Sequence, residues 1–322
     1  MAEFSALILA AGEGKRMKSE KSKVVHKVCG VEMINRVLDS ALGAGASMAQ
    51  IVVGHCADMV KEAAGDRATF VYQHEQLGTG HAVMQAKEFL SGSQHVCILT
   101  GDTPLITAAT LSEAMEAHLS QNNDVTVLTA NFSDPTGYGR IIRNRDGSVK
   151  KIVEHKDASE KELLVTEINS GMYFFKADVL LSALSSITNN NAQGEYYLTD
   201  ALSIICEKGG KAGAYIVTDG DEIMGVNDRR QLSQAEKIMR RRINESFMLS
   251  GVTIIDPDNT YICEETVIGI DSIVYPGAFI DGKSVIGKNV TIGPNVILND
   301  ACVEDDVCVT LAPVSGNVPN NN

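Results

Sequence analysis

Short, wholly apolar runs punctuate the first part of the chain. Between them, apolar residues recur at three- and four-residue spacing. Residues 5–9, 50–54, 96–100 and 125–130 read as buried strands, the first ending in a glycine-containing turn. Residues 33–42 have helical spacing through Ile34, Val37, Leu38 and Ala41, and residues 110–119 form another helical stretch. This alternation predicts an α/β domain with a mainly parallel sheet and helices on both faces. In such sheets ligands sit where strands end and loops begin.

Residues 227–250 read as one long helix. Asn227 or Asp228 caps its start, Leu232, Ala235, Met239, Ile243 and Phe247 form an apolar stripe, and Gly251 stops it. Arg240, Arg241 and Arg242, near its C-terminal end, suit the helix dipole or form a solvated face. After Gly251 the period changes to six. Aliphatic residues stand at Ile268, Val274, Ile280, Ile286, Ile292 and Leu298, and four positions after each comes Ser272, Ala278, Ser284, Val290, Val296 or Cys302. A six-residue period with short flat strands predicts a parallel β-helix, three hexads to a coil. The pattern is expected to decay at Glu304 and Thr310, ahead of a polar tail. The expected organisation is 1–226 as a first domain, 227–250 as a linker helix, 251–314 as a short β-helix and 315–322 as a disordered tail.

Composition narrows the function classes. At 322 residues two domains are the natural expectation, and 44% hydrophobic residues suffice for packed cores. A formal net charge of −13 argues against nucleic-acid binding through a broad basic surface. Any phosphate ligand must therefore be attracted by a few local cations, backbone N–H groups and a metal. No apolar run approaches the roughly 18 residues of a membrane span. The apolar run Ala6 to Ala11 has no basic flank and is too short for a signal-peptide core, so a cytoplasmic protein is expected. Cys29, Cys56, Cys97, Cys206, Cys263, Cys302 and Cys308 are scattered singly, without metal-ligand spacing, and read as small hydrophobes.

The first strand runs into Leu9-Ala10-Ala11-Gly12-Glu13-Gly14-Lys15-Arg16-Met17. Glycines let backbone N–H groups approach phosphate oxygens, and the cations add charge. It is neither the dinucleotide fingerprint, since Met17 stands at the third glycine's place, nor a P-loop, since Arg16 follows Lys15. On residues alone a plain glycine turn is equally good. Asp102, at the end of a strand, suits a Mg²⁺ ligand or a turn cap, and Asn227 an oxygen ligand or the helix cap. Lys23 and Arg16 read as phosphate cations or as solvated surface charges.

Leu-x-x-Gly-x-Gly-x-Arg-Met after the first strand resembles the signature of the sugar-1-phosphate nucleotidyltransferases. Ser22-Lys23-Val24-Val25 resembles that family's Pro-Lys-x-Leu motif, with Ser22 in the proline's place. The segments 73–82, 134–140, 152–157, 167–171, 189–200 and 225–227 follow in the order of one branch, the bifunctional N-acetylglucosamine-1-phosphate uridylyltransferase / glucosamine-1-phosphate acetyltransferases of bacteria. The resemblance extends through the hexads to about residue 309.

The resemblance implies a Rossmann-like domain with a mainly parallel mixed sheet, a long helix and a left-handed β-helix. It implies transfer of a uridylyl group from UTP to N-acetylglucosamine 1-phosphate, giving UDP-N-acetylglucosamine for peptidoglycan and lipopolysaccharide precursors. Mg²⁺ would be held by Asp102 and Asn227, with Lys23 and Arg16 stabilising transition-state charge. Leu9, Ala10, Ala11 and Gly12 would press backbone against uracil and ribose. Gln73 would read the uracil edge with its amide, and Gly78 and Thr79 would complete the base and ribose contacts. Thr100 and Gly101 accompany Asp102. Gly139, Glu154 and Asn169 would bind the sugar hydroxyls and acetamido group, with Tyr197 and Thr199 lining that pocket. Family members are homotrimers. Their acetyl-CoA site lies in later coils than the roughly three implied here by a six-residue period, so that activity is expected to be missing. Neither nucleic acid nor membrane is an expected partner. The histidines form no metal cluster or triad. The competing readings are a nucleotidyltransferase for another sugar 1-phosphate and a non-catalytic sugar-nucleotide-binding or assembly protein.

Overall fold

The computed structural model describes residues 3–311. The tail expected at 315–322 lies outside the described residues. The chain divides into two compact units, Met1–Lys27 with Val31–Leu232, and Val28–Gly30 with Ser233–Asn322.

The first unit is built on nine strands: β1 (Phe4–Ala10), β2 (Ala46–Val53), β3 (Thr69–Tyr72), β4 (His95–Thr100), β5 (Val125–Asn131), β6 (Arg140–Arg143), β7 (Val149–Val153), β8 (Glu167–Lys176) and β9 (Ala212–Ile216). The sheet order is β9-β5-β8-β4-β1-β2-β3, with β6 pairing β8 and β7 off one side. β1 pairs parallel with β2 and β4, and β9 parallel with β5. β8 alone on this path runs antiparallel to both its neighbours, β4 and β5.

The centre of this sheet reads as continuous apolar runs because both faces are covered. Along β1, Phe4, Ala6, Ile8 and Ala10 pack into one core and Leu7 into the other. Along β4, Cys97 and Leu99 face the first core, Val96 and Ile98 the second. The alternation is the two-residue period of a strand. The helix Met33–Gly43 contributes Ile34, Val37, Leu38 and Ala41 to the first core, and the helix Ala108–Ser120 contributes Leu111 and Ala114. The C-terminal ends of β1 and β4 therefore lie side by side, and the Gly101 N–H donates to Leu9 O at 2.9 Å.

The long helix spans Arg229–Leu249. Asp228 caps it, its carboxylate accepting from the N–H groups of Arg230 and Gln231 at 2.9 Å each. That settles the choice of cap and leaves the Asn227 side chain free for another task. Arg240 to Arg242 stand two turns before the helix end. The dipole acts mainly within the last turn, which leaves the solvated face: Arg241 is exposed, and Arg240, half-buried, lays its guanidinium 4.4 Å from the Tyr261 ring centroid.

In the second unit, pairs of residues form short parallel strands in three sheets, at steps of 18 residues such as Ile273↔Thr291 and Phe279↔Ile297. Ile268, Val274, Ile280, Ile286 and Ile292 point inward, as do Ser272, Ala278, Ser284, Val290 and Val296. The turns use residues that tolerate left-handed backbone, among them Asp271, Asn289 and Asn295 with φ of 63°, 53° and 58°. Gly269 is obligatory for a further reason, since a Cβ there would lie 2.6 Å from the Gly287 backbone one coil on.

The expected decay at Glu304 and Thr310 is overturned. One turn after Asn299 is a residue shorter, and Ile286 pairs with Val303 and Ile292 with Val309. Val303 and Val309 thus take the stations that a strict six-residue count gives to Glu304 and Thr310. Ala301 takes that of Cys302, which is exposed.

Candidate active site

Two loops and a distant segment of the first unit converge beyond the ends of β1 and β4. The loop after β1 carries Leu9, Ala10, Ala11 and Gly12, and the loop after β4 carries Thr100, Gly101 and Asp102. The Val226 N–H donates to Asp102 O at 2.8 Å, which brings residues 225–227 alongside. Lys23, on the short 3-10 turn Lys23–Val25, reaches into this corner. Its Nζ donates both to Asp102 Oδ2 and, at 2.9 Å, to Asn227 Oδ1. The two oxygens expected to share a metal therefore converge on one cation. Lys23 and Asp102 side chains are only 15% and 18% exposed, so the charges are weakly screened.

Two local conformations set this up. Gly14 lies at φ 63°, and a Cβ there would sit 2.7 Å from Lys23 Cβ, so only glycine allows the lysine its approach. Ser22 has φ −52°, a value that proline also adopts, so the serine holds a backbone compatible with proline at this position. Its hydroxyl is buried with no partner among the described residues.

A cleft of about 280 Å³ opens beside Lys23. Of the residues singled out from sequence, Leu9, Ala10, Ala11, Gly12, Lys23, Gln73, Gly78, Thr79, Thr100 and Asp102 line it. Val24, Gln76, Ala82 and Glu195 line it too and were not foreseen. Gln76 stands inside the segment 73–82, yet nothing in spacing separates it from Gln73. Gln73 is 4% exposed, and its Nε2 lies 3.1 Å from both Gly78 O and His81 Nδ1. Its amide nitrogen thus holds the Gly78 loop. Arg16 is exposed on the turn Lys15–Met17 and does not line the cleft. Lys15 pairs with Glu13 at 2.6 Å, both exposed.

Gly139, Glu154 and Asn169 form a second cluster. A Cβ on Gly139 would lie 3.4 Å from Asn169 Cβ and 3.6 Å from Glu154 Oε2. Glu154 Oε1 accepts from the Thr199 hydroxyl at 3.3 Å. Burial raises the Glu154 carboxyl above the ordinary range, and the charges of Asp157, Asp200 and Glu195 push the same way. Tyr197 and Thr199 border a hollow with Glu154 and Asp200. Burial and the Asp102 charge raise the Tyr138 phenol, whose hydroxyl meets the Gly225 backbone.

The segment from Asn189 to Thr199 ties the two sides together. Its Tyr196 N–H donates to Leu77 O at 2.8 Å, and its O accepts from the Gly80 N–H at 2.7 Å. Thr79 Oγ1 accepts from the Leu198 N–H at 3.1 Å. On the other side Asp157 accepts from the Ala192 N–H at 3.0 Å, and Lys156 donates to Gln193 at 2.7 Å. A cleft walled by backbone and glycine, a cation corner with two convergent oxygens and an adjoining polar cluster suit two anionic, hydroxyl-rich ligands.

Among the described residues no three His, Cys, Asp or Glu side chains are grouped to hold a metal, and no helix is long and apolar enough to cross a membrane. The donor set is one carboxylate and one amide oxygen. That suits Mg²⁺, which takes one or two protein ligands and completes its shell with phosphate and water. The corner already accommodates a cation, the Lys23 ammonium.

Residues 5–221 match the family model described as nucleotidyl transferase. The protein called "Bifunctional protein GlmU" of Caldanaerobacter subterraneus subsp. tengcongensis is 58% identical over 292 residues, 91% of this chain and 64% of that protein. Proteins of the same name from Thermoanaerobacter pseudethanolicus and Clostridioides difficile are 55% and 50% identical, over 89% and 90% of this chain and 62% and 63% of theirs. The chain thus spans less than two thirds of the length of these relatives.

Proposed function

The chain belongs to the nucleotidyl transferase family, and on that premise we propose that it transfers the uridylyl group of UTP to N-acetylglucosamine 1-phosphate. The products are UDP-N-acetylglucosamine and pyrophosphate, made in the cytoplasm. What carries the reading is the convergence of Asp102 Oδ2 and Asn227 Oδ1 on Lys23 Nζ, beside a cleft lined by residues 9–12. High identity to three bifunctional relatives supports it.

A phosphate oxygen of the sugar phosphate attacks the α-phosphorus of UTP, the bond from that phosphorus to the bridging oxygen breaks, and pyrophosphate leaves. The nucleophile is already anionic, so no strong base is required. The chain must align two anions and offset their repulsion. Lys23 supplies charge at the cleft wall, and Arg16, on its exposed turn, would add a second cation by closing over the leaving group. The backbone of residues 9–12 faces the nucleotide, with Gln73, Gly78 and Thr79 at the base. Gly139, Glu154 and Asn169 receive the sugar. Asp102 and Asn227 would hold Mg²⁺, which supplies charge neutralisation on the phosphate oxygens when bound.

The β-helix supports self-association of the trimeric kind. Its outward stations include Val267, Phe279, Val285 and Ile297, 44% to 74% exposed. Sedimentation velocity tests this, and a purely monomeric protein would remove it.

The direct test of the activity is incubation with N-acetylglucosamine 1-phosphate, Mg²⁺ and UTP, CTP, dTTP or ATP in turn, with mass spectrometry of the products. UDP-N-acetylglucosamine from UTP, far in excess of the other products, is the expected result. A product from dTTP or ATP alone, or none, overturns the assignment.

A further inference from the structure

Asn169 is the last residue of the first stretch of β8 that pairs with β5, opposite Thr129, and the strand bulges between it and Tyr173. Its Oδ1 accepts two hydrogen bonds, from the Gly171 N–H at 3.0 Å and from the Tyr173 hydroxyl at 2.9 Å. Gly171 has φ 79°, in the left-handed region that favours glycine. Tyr173 is 2% exposed, and its hydroxyl donates to Asn169 from within the core. Burial drives the Tyr173 phenol far above its ordinary value, so it stays protonated and must donate.

An amide oxygen has two lone pairs, and here both are taken. The side chain is therefore held by its Oδ1, which leaves the Nδ2 N–H groups as the end available to a ligand at a residue that neighbours Gly139, where a Cβ would lie 3.6 Å from Glu154 Oε2. No bond from Nδ2 to protein is seen among the described residues. A buried tyrosine hydroxyl needs a partner, but a serine or a backbone carbonyl would have served equally. The partner used is the residue that faces the sugar cluster.

We propose that Tyr173 is a positioning residue for the sugar subsite: it fixes the Asn169 amide so that only N–H donors face the ligand. This rests on the reading of that cluster as the sugar-phosphate site. The ligand group that meets Asn169 is then an acceptor, a carbonyl or hydroxyl oxygen, and never a donor alone.

Two variants separate positioning from packing. Asn169→Asp keeps both inner hydrogen bonds, since a carboxylate accepts from Tyr173 and Gly171, yet offers no donor outward. Tyr173→Phe keeps the ring and removes the hydroxyl. Initial rates are measured for wild type, each single variant and the double variant, with UTP and N-acetylglucosamine 1-phosphate varied separately. Asn169→Asp should melt near wild type and raise KM for the sugar phosphate about 10- to 100-fold, as expected for a lost hydrogen bond with a charge left facing an acceptor. Tyr173→Phe should raise the same KM roughly 5-fold, with KM for UTP unchanged, the size of one neutral hydrogen bond.

In the Asn169→Asp background, Tyr173→Phe should add less than about 2-fold, because a symmetric carboxylate needs no orienting. An equal rise in both backgrounds would assign Tyr173 to packing and overturn the inference. So would wild-type sugar-phosphate KM in Asn169→Asp, which decides the matter even if Tyr173→Phe fails to fold. A wild-type enzyme that forms no UDP-N-acetylglucosamine overturns the functional reading, and this inference with it.

Discussion

Gly14→Ala changes one hydrogen for a methyl group and should cost both stability and rate. Gly14 stands at φ 63°, where an L side chain is strained by about 1–2 kcal/mol. The added Cβ would also meet Lys23 Cβ at 2.7 Å. Relief requires the lysine stem to retreat by roughly 0.7 Å or more to reach ordinary contact, and a catalytic group misplaced by about 1 Å costs on the order of 10²-fold. A unit of this size should lose about 2–8 °C in Tm for such strain.

Gly12→Ala is the matched control. Nothing lies within 4 Å of a Cβ at Gly12, and no positive φ holds it. Its Tm should stay within about 2 °C of wild type, as for a surface change of roughly 0.5 kcal/mol. Because Gly12 lines the cleft, KM for UTP should still rise. Scanning calorimetry and a pyrophosphate-release assay measure the two effects. Wild-type kcat/KM and Tm in Gly14→Ala, or equal destabilisation by both substitutions, would refute the reasoning.

Other expectations follow from the same geometry. Lys23→Met should lower kcat by about 10²–10³-fold, the usual effect of removing one donor aimed at developing charge, and should strengthen Mn²⁺ binding without nucleotide, read by electron paramagnetic resonance, because Asp102 and Asn227 lose their resident cation. Ser22→Pro should stabilise by roughly 0.4–1 kcal/mol in denaturant melts, since φ is already suitable and a buried hydroxyl is removed; a loss of stability would show that the turn needs the serine. His118 is fully buried, bonded to His95 and Thr126, and burial, with His95 and Lys176 nearby, pushes it down from 6.5 to about 4. The unfolded chain then binds the extra proton first, so stability is complete above pH 6.5 and falls toward pH 4 by about 3 kcal/mol. Urea melts from pH 7 to 4 should show that slope, and His118→Gln should flatten it. Ser272→Ala leaves the Val290 N–H without its 3.1 Å acceptor and should cost the β-helix about 1–3 kcal/mol.

The central strands were legible because each is a short apolar run covered on both faces, and the hexads because their period admits no common alternative. β8 was not among the strands read. Its Asn169-Ser170-Gly171 interruption breaks the apolar run, and Asn169 joins the cluster through long-range pairing, its N–H donating to Gly139 O at 2.9 Å. The one-residue deletion after Asn299 was invisible to a fixed six-residue count, although Val303 and Val309 were there to be found. Among the candidate site residues, those on loops after β1 and β4 could be placed at strand ends from the apolar runs, while the roles given to them came from the resemblance. The partnership of Lys23 with Asn227, 204 positions apart, is a tertiary fact that no spacing encodes. Nor does the sequence show that Asp228 takes the capping role and leaves Asn227 to the site.

The claim on which the mechanism turns is that Asp102 and Asn227 act as a unit. Single-turnover formation of UDP-N-acetylglucosamine at saturating substrates and Mg²⁺, compared among wild type, Asp102→Ala, Asn227→Ala and the double variant, measures this. Each single change should slow the step by about 10²-fold or more, with the double variant little slower than the worse single, as for groups that share one task. A wild-type rate in either single variant, or fully multiplicative losses, would contradict it.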